Sequence, residues 1–178
     1  MSKCYSKGAT MFKENLLKME DVGGVFKAPA MTDEQFEKVS QDLKGLGVEL
    51  PDEYAELLFT SDGVFWGGME FFGASTHTDK RRGLNITDLY SQNRIFQALN
   101  PDKKGCVILG HSDDENFIYN PARKKFQIID EFEGSLIKAF GSFEDMFDYV
   151  VSEQIELVEN YVAFNEDEIK DDSTDIDF

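Results

Sequence analysis

The spacing of apolar residues changes from a helical period to a strand-like period near the middle of the chain. In the first half, Phe36, Val39 and Leu43 recur at intervals of three and four residues. Such spacing places the three side chains on one helical face and predicts a helix over residues 33–44. Thr32 precedes this stripe and has the residue type of an N-cap, which supports a helix start at that point.

A second helix is predicted over residues 52–61. Pro51 favours a helix start, because a proline in the first turn removes no internal hydrogen bond. Ser61-Asp62-Gly63 is a turn signal that ends the helix. The next run, residues 64–72, predicts a strand that is interrupted at Gly67-Gly68 by a bulge or a close approach of backbones.

The second half contains four short apolar runs whose starts lie about ten residues apart, with polar turns between them. This spacing predicts an antiparallel meander. The predicted strands are residues 106–110, 116–120, 126–130 and 136–140. Ser142 with Asp145 then forms a capping box that opens a long helix from about residue 143. We therefore predict an α+β fold, a mainly antiparallel sheet with helices packed on one face.

The predicted core combines residues from both halves of the chain. Its members are Phe36, Tyr54, Leu58, Ile108, Ile128, Phe143 and Phe147. Residues 31–164 are predicted to form a single domain, preceded by a weakly patterned lead-in, residues 1–30. Residues 165–178 form an acidic tail with seven acids and one lysine. We expect this tail to add little stability, because like charges repel and few apolar residues are present.

Acidic residues outnumber basic ones by 35 to 18, which gives a formal net charge of −17. Such a charge repels phosphate groups, so non-specific binding to nucleic acid or to a membrane surface is excluded as a function class. No apolar run approaches the roughly 20 residues of a membrane span, and no secretory signal is visible. With two cysteines, we expect a cytoplasmic protein with free thiols and no metal or other cofactor.

Residues 47–63 resemble the signature of the SUKH superfamily. In that signature a Leu-Pro pair, here Leu50-Pro51, opens a helix that carries an aromatic residue three positions on, here Tyr54. A turn of the type Ser61-Asp62-Gly63 closes it. Residues 107–121 resemble the central hairpin of the superfamily, and residues 142–149 resemble its last helix. The overall likeness is closest to the YrhA-like branch.

The resemblance implies a SUKH-like single domain and a role in binding. The superfamily includes bacterial immunity proteins, which neutralise toxins by binding them, and fungal regulators of cell-wall assembly. It implies no catalytic residue. Our leading hypothesis is a non-enzymatic immunity protein whose partner is a protein, such as a basic toxin domain. Two alternatives stay open: a regulatory protein of the same fold without a toxin partner, and a ligand-binding protein or enzyme that uses residues 111–115.

Two segments are the candidate partner-binding residues. The acidic turn Asp113, Asp114 and Glu115 offers charge, and Phe65 with Trp66 offers aromatic anchors of the kind enriched at binding hot spots. Each segment also has a purely structural interpretation. A hairpin turn needs polar residues in any case, and the two aromatic side chains can fill the core beside a bulge.

Other chemistry-bearing residues have weaker patterns. His111 beside the acidic turn suggests a metal or acid–base site, although the spacing matches no known loop. Cys106 with His111 suggests a nucleophile and its base, against an inert buried thiol. His77 is predicted to be solvated. Lys80-Arg81-Arg82 and Arg123-Lys124-Lys125 are interpreted as phosphate sites, as solvated loops or as docking points for the acidic tail.

Overall fold

The computed structural model describes residues 8–171, with side chains for residues 12–161. Within this part the chain forms five helices, nine strands and a short 3-10 turn at Pro101–Lys103. The helices are α1 (Gly8–Val22), α2 (Asp33–Gly45), α3 (Asp52–Leu58), α4 (Leu89–Leu99) and α5 (Phe143–Asp171). The strands are β1 (Phe26–Lys27), β2 (Val64–Trp66), β3 (Met69–Phe71), β4 (His77–Asp79), β5 (Leu84–Ile86), β6 (Val107–His111), β7 (Glu115–Asn120), β8 (Lys125–Asp130) and β9 (Leu136–Phe140).

Seven strands form one antiparallel sheet in the order β1-β2-β3-β6-β7-β8-β9. Strands β4 and β5 form a separate two-stranded sheet. The predicted α+β class is confirmed, and the four predicted strands of the meander correspond to β6, β7, β8 and β9. Strands β1 and β9 are the two edges of the large sheet.

Aromatic rings from three helices meet on one face of this sheet. Phe147 of α5 lies with its ring centroid 5.1 Å from that of Phe71 in β3 and 5.5 Å from that of Phe12 in α1. Tyr54 of α3 contacts Phe143 of α5 at 5.0 Å. All five side chains are buried. Because aromatic side chains remove large areas from water, this cluster ties α1, α3 and α5 to the sheet.

Most of the predicted core residues are buried, as expected. They are Tyr54, Leu58, Ile108, Ile128, Phe143 and Phe147. Phe36 was expected to join them but is only half-buried, because it packs at the periphery against the ring of Phe59, 5.5 Å away. The capping box of Thr32 and Gln35 is present at the start of α2.

The predicted N-terminal lead-in contributes to the hydrophobic core. Phe12, Leu16 and Met19 lie on the inner face of α1 and are buried. The helix ends at Val22, and Gly23 follows with a φ of 94°, a left-handed conformation that favours glycine. The domain limits after residues 30 and 164 stay predictions, and residues 172–178 of the acidic tail lie outside the described residues.

The Gly67-Gly68 pair is the turn of a hairpin, which corrects the interpretation as a bulge within one strand. Both residues have positive φ angles, 57° and 85°, as the two central residues of a type I′ turn require. The turn joins β2 to β3. The polar segment 73–83 that follows this hairpin contains β4 and the turn that leads to β5.

The Ser61-Asp62-Gly63 turn organises two neighbouring segments through buried hydrogen bonds. Asp62 is fully buried, and its carboxylate accepts a hydrogen bond from the backbone N–H of Ala74 at 2.6 Å. The other carboxylate oxygen lies 2.7 Å from Nε2 of His77. The prediction of a solvated His77 is therefore wrong, because its ring is the partner of a buried carboxylate.

Helix α4 covers the part of β6 that does not pair with β3. Strand β3 ends at Phe71, so the backbone of Ile108 has no strand partner on that side. The side-chain amide of Asn93 takes the place of a strand there: it donates to the carbonyl of Ile108 at 2.9 Å and accepts from its N–H at 3.0 Å. A buried backbone needs such partners, so Asn93 fixes α4 against the sheet.

Candidate functional site

A groove with a volume of about 300 Å³ lies between two hairpin turns and helix α5. One wall is the Gly67-Gly68 turn, and the opposite wall is the turn between β6 and β7, residues 112–114. Residues 149–157 of α5 form the third side, with Phe117 and Ile128 of the sheet below. We call this feature the acidic groove, because four carboxylates line it.

The acidic turn is held in shape by its own hydrogen bonds and by a neighbouring turn. Ser112 donates from its backbone N–H to the carbonyl of Glu115 at 2.9 Å, and its hydroxyl lies 3.3 Å from the Glu115 carboxylate. The N–H of Glu131 donates to the carbonyl of Asp114 at 2.9 Å. Asp113 and Asp114 project as exposed side chains. Their carboxylates are therefore available to a partner.

Helix α5 is attached to the Gly67-Gly68 wall of the groove and to strand β9. Gln154 donates to the carbonyl of Gly67 at 2.9 Å. The ammonium of Lys138 lies over the ring of Tyr149, 3.7 Å from the ring centroid. Partial burial, followed by the nearby charges of Glu153 and Glu115, raises the pKa of the Tyr149 phenol. Its hydroxyl therefore stays neutral and can donate a hydrogen bond.

Four carboxylates line the groove: those of Asp113, Asp114, Glu115 and Glu153. No lysine or arginine is among the described residues that line it. In the described part of the chain, no set of three or more His, Cys, Asp or Glu side chains converges in a way that could hold a metal ion. The groove is thus a negatively charged concave surface, bordered by Leu157, whose side chain is 64% exposed.

The structure separates the predicted partner-binding residues. Asp113, Asp114 and Glu115 lie together at the groove. Trp66 is only 2% exposed, and its indole N–H donates to the carbonyl of Gly23 at 2.8 Å. Its assignment as a partner-binding residue is therefore corrected: Trp66 is part of the core.

Phe65 is half-buried and is not among the residues that line the acidic groove. It pairs across the sheet with Phe26 on one side and with Glu70 on the other. Since successive residues of a strand point to opposite faces, Phe65 faces away from the core side on which Trp66 is buried. Phe65 and the acidic turn therefore do not form one surface, and a partner role for Phe65 stays a prediction.

His111 does not join the carboxylates of the acidic turn. Its Nε2 lies 3.3 Å from the buried carboxylate of Glu70, and its Nδ1 lies 3.1 Å from the carbonyl of Ser112. The hydrogen bond with Glu70 is the main cause that raises the pKa of His111. The predicted site at residues 111–115 is thus divided between a structural His–Glu pair and an exposed turn.

Cys106 has the features of an inert thiol. Burial raises the pKa of its thiol, which disfavours the thiolate that nucleophilic chemistry needs. Cys106 and His111 are five residues apart along an extended segment, a separation of roughly 16 Å. The structure therefore does not bring these two side chains together as a nucleophile and its base.

The first basic cluster is partly structural, and the second is a surface turn. Arg82 binds the carboxylate of Asp79 at 2.6 Å and the carbonyl of Val25 at 2.9 Å, and it lies over the ring of Phe26. Arg123 and Lys124 lie in the exposed turn between β7 and β8, and Lys125 is the exposed first residue of β8. Neither cluster lines the acidic groove.

Sequence reasoning did not find the contribution of α5 to the site. Of this helix, Phe143 and Phe147 were predicted as core residues, and both are buried. They belong to an apolar stripe that continues through Val150 and Val151. Leu157 lies off that stripe, and Glu153 lies one helical turn before Leu157. The available signal in the sequence was Leu157, an apolar residue outside the core stripe. Only the fold shows that Leu157 lies near the turn between β6 and β7.

Residues 30–149 match the model of the SMI1 / KNR4 family (SUKH-1). The match covers most of the chain and includes the buried turn at Asp62, the meander and the start of α5. A search of curated proteins found no match. Among the described residues, no helix is long and apolar enough to cross a membrane. With this fold and this match over residues 30–149, the chain belongs to the SMI1 / KNR4 family (SUKH-1).

Proposed function

We propose that this protein is a non-enzymatic immunity protein of the YrhA-like branch, which neutralises a bacterial toxin by binding it directly in the cytoplasm. The family includes immunity proteins as well as SMI1/KNR4 regulators. The acidic groove is the proposed contact surface. A basic toxin domain is the proposed partner, because it has the complementary charge.

The observation that carries this proposal is the uncompensated charge of the groove. Asp113, Asp114, Glu115 and Glu153 face the same concavity, and no basic side chain is among its described lining residues. Surface charge of one sign raises the rate at which an oppositely charged protein associates. The groove is thus suited to attract a basic domain, in a protein whose net charge is already −17.

The groove continues into an exposed apolar strip on α5. Leu157 and Tyr161 are four residues apart and therefore lie on the same side of the helix. Both are largely exposed, Tyr161 at 71%. Tyrosine is enriched among residues that dominate binding energies, so Tyr161 is the proposed anchor in place of Trp66. The acidic groove can raise the rate at which a basic partner associates. The apolar strip beside it can supply a contact that becomes buried in the complex.

The proposal is tested with a toxin encoded beside this gene, as catalytically inactive bait. The groove variant combines Asp113→Asn, Asp114→Asn, Glu115→Gln and Glu153→Gln. The matched control combines Glu14→Gln, Glu34→Gln, Glu37→Gln and Glu49→Gln, four exposed acids away from the groove. Both variants remove four negative charges, so they differ only in where the charge is lost.

We expect the wild-type chain to bind the toxin and to protect cells that express its active form. The groove variant should lose at least tenfold in affinity, whereas the control variant should lose less than threefold. Equal losses for both variants would show that overall charge matters and that the groove is not the contact surface. A toxin that binds no variant, wild type included, would overturn the immunity role and favour the regulatory alternative.

A further inference from the structure

The outer edge of the large sheet is an exposed strand. Among the described strands, β9 pairs with β8 alone, and Leu136 and Ile137 are each 51% exposed. Phe132, in the turn that precedes it, is exposed as well. The edge strand at the other end, β1, has two residues. A five-residue apolar edge with free backbone groups favours pairing with another extended segment.

The surroundings of β9 are basic, unlike most of this acidic protein. Lys138 is the charged residue within the strand. Lys125, the first residue of β8, lies at the far end of β9, where its ammonium approaches Gly141. The acids Glu131 and Glu133 lie in the turn before the strand begins. The charge along β9 therefore favours an acidic occupant.

The chain itself contains a segment with the matching pattern. Residues 172–178 read Asp-Ser-Thr-Asp-Ile-Asp-Phe. In an extended conformation, Thr174, Ile176 and Phe178 would share one face, and Asp175 and Asp177 would share the other. An alternation of apolar and acidic residues suits an edge that offers both apolar side chains and lysines.

This segment cannot reach β9 of its own chain. Helix α5 runs back alongside β9, because the ammonium of Lys138 lies on the ring of Tyr149. Beyond Tyr149 the helix continues for 22 residues to Asp171, a length of about 33 Å. Seven extended residues span at most about 24 Å, so this segment is too short to lie along β9 of its own chain.

We propose that the β9 edge binds residues 172–178 of a second copy of this chain as an additional strand. Two copies exchange these segments reciprocally, so each dimer contains two such contacts and gains from bivalency. The simplest alternative, pairing of β9 with β9 of another copy about its central residue, would place Lys138 opposite Lys138. Like charges in directly opposed positions destabilise a strand pair.

The first test is the oligomeric state of the full chain, measured by sedimentation over a hundredfold range of concentration. We expect a monomer–dimer equilibrium for the wild-type chain and a monomer for a variant that ends at Asp171. Ile137→Asp should abolish dimerisation, whereas Ile95→Asp, at a similarly exposed position on α4, should preserve it. A monomeric wild type, or dimers that survive either the deletion or Ile137→Asp, would contradict the proposal.

The second test uses a labelled peptide of residues 170–178, titrated onto the variant that ends at Asp171. We expect saturable binding with one peptide per chain, weakened by salt and at least tenfold by Ile137→Asp but unchanged by Ile95→Asp. A peptide with Ile176→Asp and Phe178→Asp should not bind. Absence of binding by the native peptide, or binding that Ile137→Asp leaves unchanged, would overturn the assignment of β9 as its site.

Discussion

Two sets of carboxylates in this protein have opposite surroundings. Asp62 and Glu70 are buried, and every contact described for them serves the fold: Asp62 binds Ala74 and His77, and Glu70 binds His111 and the backbone N–H of Thr87. The four carboxylates of the acidic groove lie at the surface without a basic partner among its lining residues. The same chemical group therefore stabilises the fold in one place and lies at the surface without a basic partner among the lining residues in the other.

The difference separates carboxylates that the fold requires from carboxylates that it does not require. A buried carboxylate without partners is costly, so Asp62 and Glu70 are each placed against hydrogen-bond donors. Like charges gathered around a groove stabilise nothing by themselves. Their clustering at Asp113, Asp114, Glu115 and Glu153 is therefore the feature that folding does not explain.

The largest expected difference between the two sets is in stability. Asp62→Ala removes the acceptor of the Ala74 N–H and the partner of His77, and we expect the free energy of unfolding to fall by about 2–4 kcal/mol. Asp114→Ala, at an exposed position, should change it by less than about 0.5 kcal/mol. Urea denaturation of both variants measures these values. Similar losses of unfolding free energy for the two variants would contradict the distinction between structural and surface carboxylates.

A smaller effect is expected in the pH dependence of stability. The hydrogen bond with Glu70 raises the pKa of His111 above its ordinary value of about 6.5, with smaller contributions from the Ser112 carbonyl and from the charge of Glu131. A raised pKa in the folded state means that the protonated ring stabilises the fold. This stabilisation is complete below about pH 6.5 and disappears as the pH rises through the raised pKa.

The variant His111→Gln isolates this contribution. We expect the wild-type chain to exceed the variant in unfolding free energy at pH 6, and this advantage to decrease as the pH rises to 9. Denaturant titrations at several pH values provide the measurement. An advantage that is constant, or that grows with rising pH, would mean that the pair between His111 and Glu70 does not act through the protonated ring.

Much of the fold could be predicted from local patterns. The N-cap at Thr32, the start of a helix after Pro51 and the meander spacing each depend on neighbouring residues, and the elements they predict are present. Helix α1 was less visible, because its buried residues are recognised only once α5 packs against it. The Gly67-Gly68 turn was misinterpreted because a bulge and a tight hairpin both favour glycine.

The candidate site could be predicted only in part. The acids at residues 113–115 were found because they are adjacent in sequence. Glu153 and Leu157 were missed because they approach the acidic turn only through the packing of α5. Trp66 had two interpretations from the sequence, part of the core or an exposed anchor. Its hydrogen bond with Gly23 joins residues that are 43 positions apart, so no local pattern could reveal it.

The central claim is that the charge of the acidic groove recruits a basic partner. The most direct measurement is the association rate constant of the wild-type chain and the groove variant with the toxin at low and at physiological salt. Exposed charges are screened beyond about 8 Å at physiological ionic strength. We expect salt to slow association of the wild-type chain at least tenfold and to affect the groove variant much less, with similar dissociation rates. Association of the wild-type chain that is insensitive to salt, or equally sensitive in the groove variant, would contradict this account.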